Sequence, residues 1–160
     1  ALARKTSENV NFYILSDLDH SKIVNLYRIE NNLSISSMEE GIGESEFIYN
    51  TAGGKCLMAY LPLSEQREIA NRLTYVRCTD TTITSAEELL EELKTVRANG
   101  FAVDRGEFHP DVYCIALPVY SSAGDIYASI SISSSKLLEE NLTYYRDVIA
   151  DTIRRLSALS

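Results

Sequence analysis

The spacing of apolar and polar residues predicts strands towards both ends of the chain and helices between them. The clearest strand covers 126–133, where isoleucine and alanine at the even positions alternate with tyrosine and serine at the odd ones, the two-residue period of a strand with two different faces. Similar apolar segments predict further strands at 9–15, 22–29, 47–49, 101–108 and 112–120. These strands are expected to pair into an antiparallel sheet of five or six strands.

Helical spacing occurs in the middle and at the end of the chain. Ser85 and Glu88 form a capping box before an apolar run that stops at Gly100, which predicts a helix with both ends defined. A final helix is predicted from apolar residues that recur every three or four positions, at Leu138, Leu142, Tyr145, Ile149, Ile153 and Leu156. Shorter helices are predicted at 1–7, at 51–60 and from Ser64 onwards. The whole chain, 1–160, is therefore predicted to be a single α+β domain in which helices flank the sheet.

The charge of the chain argues against direct binding to nucleic acid. The formal net charge is −8, whereas a nucleic-acid-binding domain usually carries a basic patch or stripe. The only dense basic pairs are Arg4-Lys5 and Arg154-Arg155. No apolar run approaches the roughly 20 residues that cross a bilayer, and three widely spaced cysteines favour a reducing cytoplasm over a disulfide framework. We expect a cytoplasmic protein that contacts neither membrane nor DNA through this chain.

Cysteine and histidine could supply catalytic or metal-binding chemistry. His109 precedes Cys114 across Pro110, and such a pair could form a nucleophile with its base. A buried structural cysteine is the interpretation that we favour, because free cysteine is among the most buried residue types. The two histidines and three scattered cysteines show none of the spacings of metal sites. We therefore expect no metal and no cofactor.

A pair of glycines and a row of serines each allow two interpretations. Gly53 and Gly54 stand where a strand gives way to a helix, so they either let a ligand approach the backbone or allow close packing at a helix entry. The segment is not a P-loop, since Tyr49 and Cys56 stand where that motif needs glycine and a hydroxyl residue. The serines at 129, 131 and 133 share one strand face, which is either solvated or offers hydroxyls to a ligand.

The carboxylates of Asp104 and Glu107 are a second candidate pair. Strand alternation places Asp104 on the face opposite to Arg105 and Glu107. The two carboxylates are therefore expected to diverge, which disfavours acid–base catalysis. One of them reaching inward is better suited to accept a hydrogen bond from a ligand hydroxyl.

Taken in order, these segments resemble the effector-binding domain of the IclR family of transcription regulators, from about residue 8 to the C-terminus. The resemblance is carried by Ala52-Gly53-Gly54-Lys55, Thr82-Ile83-Thr84, Gly100-Phe101-Ala102-Val103-Asp104, Cys114-Ile115-Ala116, Pro118-Val119 and Ile130-Ser131-Ile132-Ser133. It implies a GAF-like fold with a small pocket on one face of the sheet, and assembly into a homodimer or homotetramer. It also implies a DNA-binding winged helix-turn-helix, which we expect outside this chain, with 1–7 as the tail of a linker helix.

The resemblance also implies which residues contact the effector. Ile35 and Met38 would form an apolar lid, and Ala52 and Gly53 would donate backbone N–H groups. Asp104 and Cys114 would lie on the pocket floor, and Ser131 and Ser133 would supply hydroxyls. The chain departs from the family at Tyr49, where the family usually has histidine, and any ligand contact of that histidine is in doubt here.

Three functions are compatible with the sequence. The first is a sensor domain that binds a small organic acid and modulates DNA binding by a longer regulator, for example a repressor. The second is a thiol-dependent enzyme on a GAF-like fold, which would require two cysteines close enough to exchange. The third is a dimerisation domain without a ligand, which would require bulky side chains between Met38, Gly53 and Ser131. We favour the sensor and expect no enzymatic activity.

Overall fold

The chain forms one antiparallel sheet with helices packed on both faces. The structure is a computed structural model, and it describes residues 2–32, 43, 45–135 and 138–159. Its helices and strands in chain order are α1 Leu2–Thr6, β1 Asn9–Leu15, β2 Lys22–Ile29, β3 Ser45–Phe47, α2 Ala52–Met58, α3 Leu63–Arg72, α4 Ala86–Asn99, β4 Ala102–Arg105, β5 Tyr113–Tyr120, β6 Ile126–Ser134 and α5 Leu138–Ser157.

The strand order of the sheet is β3-β2-β1-β6-β5-β4, and the neighbouring pairs are antiparallel. Within the described ranges the sheet has six strands, which confirms the predicted α+β class. Two predicted strands differ from the observed ones by two or more residues at an end. The short edge strand β3 covers Ser45–Phe47 rather than 47–49. Strand β4 ends at Arg105 because Gly106, with φ of +71°, turns the chain there.

The two sheet faces have different partners. On one face, side chains such as Tyr13, Ile23 and Ala116 pack against α2, α3 and α4. On the other face, Ile130 and Ile132 pack with residues of α1 and α5. Because side chains alternate along β6, the serines at 129, 131 and 133 lie on the α2 face, where all three are buried. The interpretation of these serines as a solvated face is therefore wrong.

Local capping fixes the helices that border this face. The Oγ1 of Thr51 accepts a hydrogen bond from the N–H of Gly54 at the start of α2. The Oγ of Ser85 accepts from the N–H of Glu88 at the start of α4, and Gly100 ends that helix with φ of +79°. The predicted cap and stop of α4 are thereby confirmed. No described helix has the length and apolar character needed to cross a bilayer.

Candidate functional site

Polar side chains from five adjacent strands, β2, β1, β6, β5 and β4, meet on the sheet face that α2 covers. In the strand register Asp104 pairs with Cys114 and Cys114 with Ser133, while one step along the sheet Ser131 pairs with Asn11 and Asn11 with Arg28. Adjacent strands are about 4.8 Å apart, so these side chains form a nearly continuous surface. Five of the six are buried and Cys114 is half-buried. We call this surface the polar floor; it consists of Arg28, Asn11, Ser131, Ser133, Cys114 and Asp104.

Hydrogen bonds join much of the polar floor into one network. The Nε of Arg28 donates to the Oδ1 of Asn11 at 2.6 Å, and the Nδ2 of Asn25 donates to the same oxygen at 3.0 Å. The Nδ2 of Asn11 donates to the Oγ of Ser133 at 3.2 Å, and the Sγ of Cys114 donates to that oxygen at 3.3 Å. Such a network suits buried polar groups, since each would be costly to leave unsatisfied.

The start of α2 lies beside this floor. The Oγ of Ser129 donates to the carbonyl oxygen of Gly53 at 3.3 Å. Gly53 therefore lies next to Ser129, which precedes Ser131 by two residues on β6. The N–H groups of Ala52 and Gly53 belong to the first turn, which lacks acceptors within its own helix. No acceptor for either N–H is found among the described residues. The two groups could therefore donate to a bound anion or carbonyl.

Close packing also explains why glycine occupies positions 53 and 54. A Cβ on Gly53 would stand 2.6 Å from Cδ2 of Tyr13 and 3.2 Å from Oγ of Ser129. A Cβ on Gly54 would stand 2.6 Å from the carbonyl oxygen of Ile48. The close packing that the sequence left as an alternative is thus present, and it brings the first turn of α2 down onto the sheet.

A buried ion pair joins α2 to the turn after β4. The Nζ of Lys55 lies 2.9 Å from both carboxylate oxygens of Glu107, 3.0 Å from Oε1 of Glu92 and 2.5 Å from the carbonyl oxygen of Val103. Burial opposes the charged form of Lys55, but the nearby carboxylates, Glu107 first, outweigh it and raise the pKa above its usual value. Lys55 is therefore a cation at neutral pH.

Strand alternation was expected to place Glu107 on the face opposite to Asp104, but β4 ends at Arg105 and does not extend to Glu107. The turn at Gly106 folds the chain back, so that the N–H of Glu107 donates to Oδ1 of Asp104 at 2.7 Å. Both side chains are buried. The carboxylate of Glu107 is bound by Lys55, whereas Asp104 lies next to Cys114 in the sheet. The ion pair thus fixes the turn that carries Asp104 relative to the helix that carries Gly53.

The structure brings together six of the eight residues expected at the site. Asp104, Cys114, Ser131 and Ser133 lie on the polar floor, and Ala52 and Gly53 lie at the start of α2. The expected lid residues, Ile35 and Met38, lie outside the described residues. The sequence reasoning missed Asn11, Asn25 and Arg28. The alternation of Asn9 and Asn11 with Val10 and Phe12 was a signal that could have identified a polar face on β1.

Tyr49, the departure from the family pattern, belongs to the core. Its hydroxyl accepts a hydrogen bond from the N–H of Val76 at 2.9 Å, and its ring packs edge-on against Tyr75 with centroids 5.0 Å apart. The side chain is buried. Tyr49 therefore ties the entry of α2 to the segment that follows α3.

The cysteines and histidines do not form a reactive group in the described part of the chain. The three cysteines carry thiols rather than disulfides: Cys56 is buried, Cys78 is exposed and Cys114 is half-buried. Burial raises the pKa of the Cys56 thiol, which keeps it protonated. The Nδ1 of His109 accepts from the N–H of Asp111 rather than from Cys114. No cluster of three metal-ligating side chains occurs among the residues that the structure describes.

Two cavities lined by described residues lie away from the polar floor. One, of about 800 Å³, lies between the β1–β2 turn and α3 and includes His20 and Glu65. The other, of about 640 Å³, lies at the opposite end of α2 and includes Tyr60 and Arg97. Both are wide and open, whereas the polar floor has the buried convergent hydrogen-bonding groups typical of a specific ligand site. We therefore take the floor as the candidate site.

Comparison with known families settles what kind of domain carries this site. The family described as bacterial transcriptional regulator IclR C-terminal matches residues 1–158. The chain belongs to the IclR family. The members found by comparison are transcriptional regulators, and no enzymatic family is indicated. Known structures of these C-terminal domains have the same α+β architecture.

Individual IclR relatives are similar over nearly the whole chain. The HTH-type transcriptional regulator KdgR of Escherichia coli is 35% identical over 159 residues, which cover 98% of this chain and 59% of KdgR. The crystal structure of the C-terminal domain of E. coli KdgR superposes with a TM-score of 0.84 at 34% identity and covers 98% of this chain and 90% of that one. The Thermotoga maritima IclR structure superposes with a TM-score of 0.87 at 29% identity and covers 98% of this chain and 63% of that one.

A more distant structure shares the fold alone. The inducer-binding domain of PobR from Acinetobacter, a double mutant in complex with 3-hydroxybenzoic acid, has a TM-score of 0.85 at 22% identity and covers 99% of this chain and 93% of that one. This chain spans little more than half of the curated KdgR sequence from E. coli, so the activity of a whole regulator is a matter for proposal.

Proposed function

We propose that this chain is the effector-binding domain of an IclR-type regulator and that it binds a small organic acid carrying a hydroxyl or keto oxygen. The observation that carries the proposal is the polar floor, in which buried hydroxyl, amide and carboxylate groups lie on the sheet face that α2 covers. Buried polar groups are costly unless they are hydrogen-bonded. A ligand with several oxygen atoms could hydrogen-bond to the Ser131 hydroxyl and to the N–H groups of Ala52 and Gly53.

The carboxylate of the ligand is assigned to the α2 side of the site. The N–H groups of Ala52 and Gly53 are hydrogen-bond donors, and the positive end of the helix dipole favours an anion there. The hydroxyl of Ser131 makes no hydrogen bond to another described residue and can donate to the same ligand. Asp104, when ionised, only accepts hydrogen bonds, so it would repel a carboxylate and favour a ligand hydroxyl.

The remaining parts of the proposal follow from the family. Ile35 and Met38 would cover the ligand with apolar side chains. Effector binding would modulate DNA binding by a longer regulator, in which a second domain reads DNA, because the net charge of −8 makes this chain itself unsuited to that role. Repression of target genes and assembly into a homodimer or homotetramer are parts of the same proposal, since such regulators read paired half-sites.

The first prediction is a ligand-specific thermal shift. We expect one or more members of a panel of keto, hydroxy, sugar and aromatic acids to raise the melting temperature of the 160-residue chain. A ligand at about 100 times its dissociation constant stabilises by roughly 2.7 kcal/mol, which corresponds to about 5–10 °C for a domain of this size. Differential scanning fluorimetry measures the shift, and binding of none of the acids would contradict the proposal.

Ser131→Ala is the site variant and Ser129→Ala is its matched control. Both serines are buried on the same face of β6, but the Ser129 hydroxyl donates to Gly53 and lies beneath it. The acid-induced shift should be lost in Ser131→Ala and kept in Ser129→Ala. A full shift in both variants would place the ligand elsewhere.

A further inference from the structure

The hydroxyl of Ser133 has its acceptor capacity filled by the protein. A serine hydroxyl offers two lone pairs and one proton. The Oγ of Ser133 accepts from the Nδ2 of Asn11 at 3.2 Å and from the Sγ of Cys114 at 3.3 Å. No hydrogen bond donated by this hydroxyl is found among the described residues. In this network Ser133 can therefore only donate to a ligand.

The direction of the bond from Asn11 to Ser133 follows from Arg28. A guanidinium Nε–H can donate but cannot accept, so the amide atom of Asn11 that lies 2.6 Å from it must be the oxygen. Asn25 reinforces this orientation, because its Oδ1 accepts from the N–H of Tyr27 and its Nδ2 is left to donate to Asn11. The NH₂ group of Asn11 must then face Ser133. The side chains of Arg28, Asn25, Asn11 and Ser133 are all buried, so water cannot readily reverse the order.

We propose that Arg28, Asn25 and Asn11 are positioning residues that make Ser133 an obligate donor to the ligand. The site would then select, at this position, an oxygen that only accepts hydrogen bonds, which is the keto oxygen of a 2-keto acid or one oxygen of its carboxylate. This inference rests on the proposed function and adds to it the hydrogen-bond polarity that the ligand must match. A ligand hydroxyl at the same place would still need an acceptor for its own proton.

Asn11→Asp tests the relay with little change in shape. The new carboxylate can still accept from Arg28 and Asn25, and it gains an ion pair with Arg28. It cannot donate to Ser133, so the Ser133 proton would turn towards the new carboxylate and be lost to the ligand. We expect the affinity for an acid that binds the parent chain to fall by about tenfold or more, the usual effect of losing a hydrogen bond to a charged group.

The experiment is isothermal titration of pyruvate, L-lactate, 2-keto-D-gluconate and D-gluconate into the parent chain, Asn11→Asp, Ser133→Ala and the double variant. The relay predicts that Asn11→Asp causes no further loss in the Ser133→Ala background. An equal loss in both backgrounds would show that the new charge, and not Ser133, is responsible, and would overturn the inference. If the keto oxygen faces Ser133, pyruvate loses more affinity than L-lactate, whereas equal losses indicate the carboxylate.

Failure of the inference is distinguishable from failure of the proposed function. If the parent chain binds none of the four acids nor any of the screening panel, the proposed function fails and the inference fails with it. If the parent binds and Asn11→Asp binds as tightly, the inference alone is wrong. Should Asn11→Asp not fold at the titration temperature, Arg28→Lys and Arg28→Glu replace it. In Arg28→Lys the lysine side chain can only donate a hydrogen bond to Asn11, so ligand binding should be retained. In Arg28→Glu the glutamate side chain accepts a hydrogen bond instead, so the amide of Asn11 should turn round and ligand binding should be lost.

Discussion

Replacing Lys55 with methionine is expected to destabilise the folded chain by about 3–5 kcal/mol, the usual cost of removing one partner of a buried ion pair. The Lys55 side chain is 1% exposed, and it is the cation that contacts Glu107 and Glu92. Methionine fills a similar volume, so the loss would come mainly from leaving the buried carboxylate of Glu107 without its counter-charge. The turn that presents Asp104 should be loosened at the same time.

Urea unfolding of Lys55→Met and of Lys94→Met measures this effect against a matched control. Lys94 pairs with Glu91 on the exposed surface of α4, where such pairs contribute about 0–1 kcal/mol. Equal losses in the two variants would contradict a structural role for the buried pair. Because the folded pKa of Lys55 is raised, its contribution is present below the ordinary lysine pKa and disappears as the pH rises through the folded value. The difference between parent and Lys55→Met should therefore shrink only in strongly alkaline solution.

Gly54→Ala is expected to destabilise the chain by about 1–3 kcal/mol, as overpacking of a core usually does. The added Cβ would lie 2.6 Å from the carbonyl oxygen and 2.7 Å from the Cα of Ile48, and 2.7 Å from Oγ1 of Thr51. Two of these atoms belong to the backbone and cannot move aside without shifting the entry of α2.

The sign of the change makes the Gly54→Ala measurement decisive. Without crowding, alanine in place of a helical glycine stabilises by roughly 0.5–1 kcal/mol. Urea unfolding of Gly54→Ala should instead show a loss relative to the parent chain. A gain in stability would mean that α2 does not lie as close to Ile48 as the structure places it.

The fold could be predicted where local signals were strong. The alternation along β6 and the capping box and final glycine of α4 are properties of neighbouring residues, and both elements have nearly the predicted bounds. The edge strand β3 was placed two residues too late, since its pairing with β2 depends on a distant segment. Strand β4 was predicted too long because the turn at Gly106 depends on a left-handed backbone conformation that apolar spacing does not reveal.

The site could be predicted only on the strands with regular alternation. Ser131 and Ser133 share a face with a period of two, and the structure buries them beside α2. Asn25 and Arg28 are three residues apart and should face opposite sides by that rule. A β-bulge adds one residue to β2 opposite Phe12 and Tyr13, so both side chains lie on the α2 face. No pattern in the sequence marks that bulge, which is why the Arg28 end of the polar floor was missed.

The central claim, that a small organic acid occupies the polar floor, is tested most directly at Cys114. The rate of alkylation of each cysteine is measured by mass spectrometry with and without an acid that raises the melting temperature. Cys114 is half-buried on the floor, while exposed Cys78 serves as a control on the same chain. At about 100 times the dissociation constant the acid should slow modification of Cys114 at least about tenfold and leave Cys78 unchanged. An unchanged rate at Cys114, with the chain still stabilised by the acid, would show that the acid binds elsewhere.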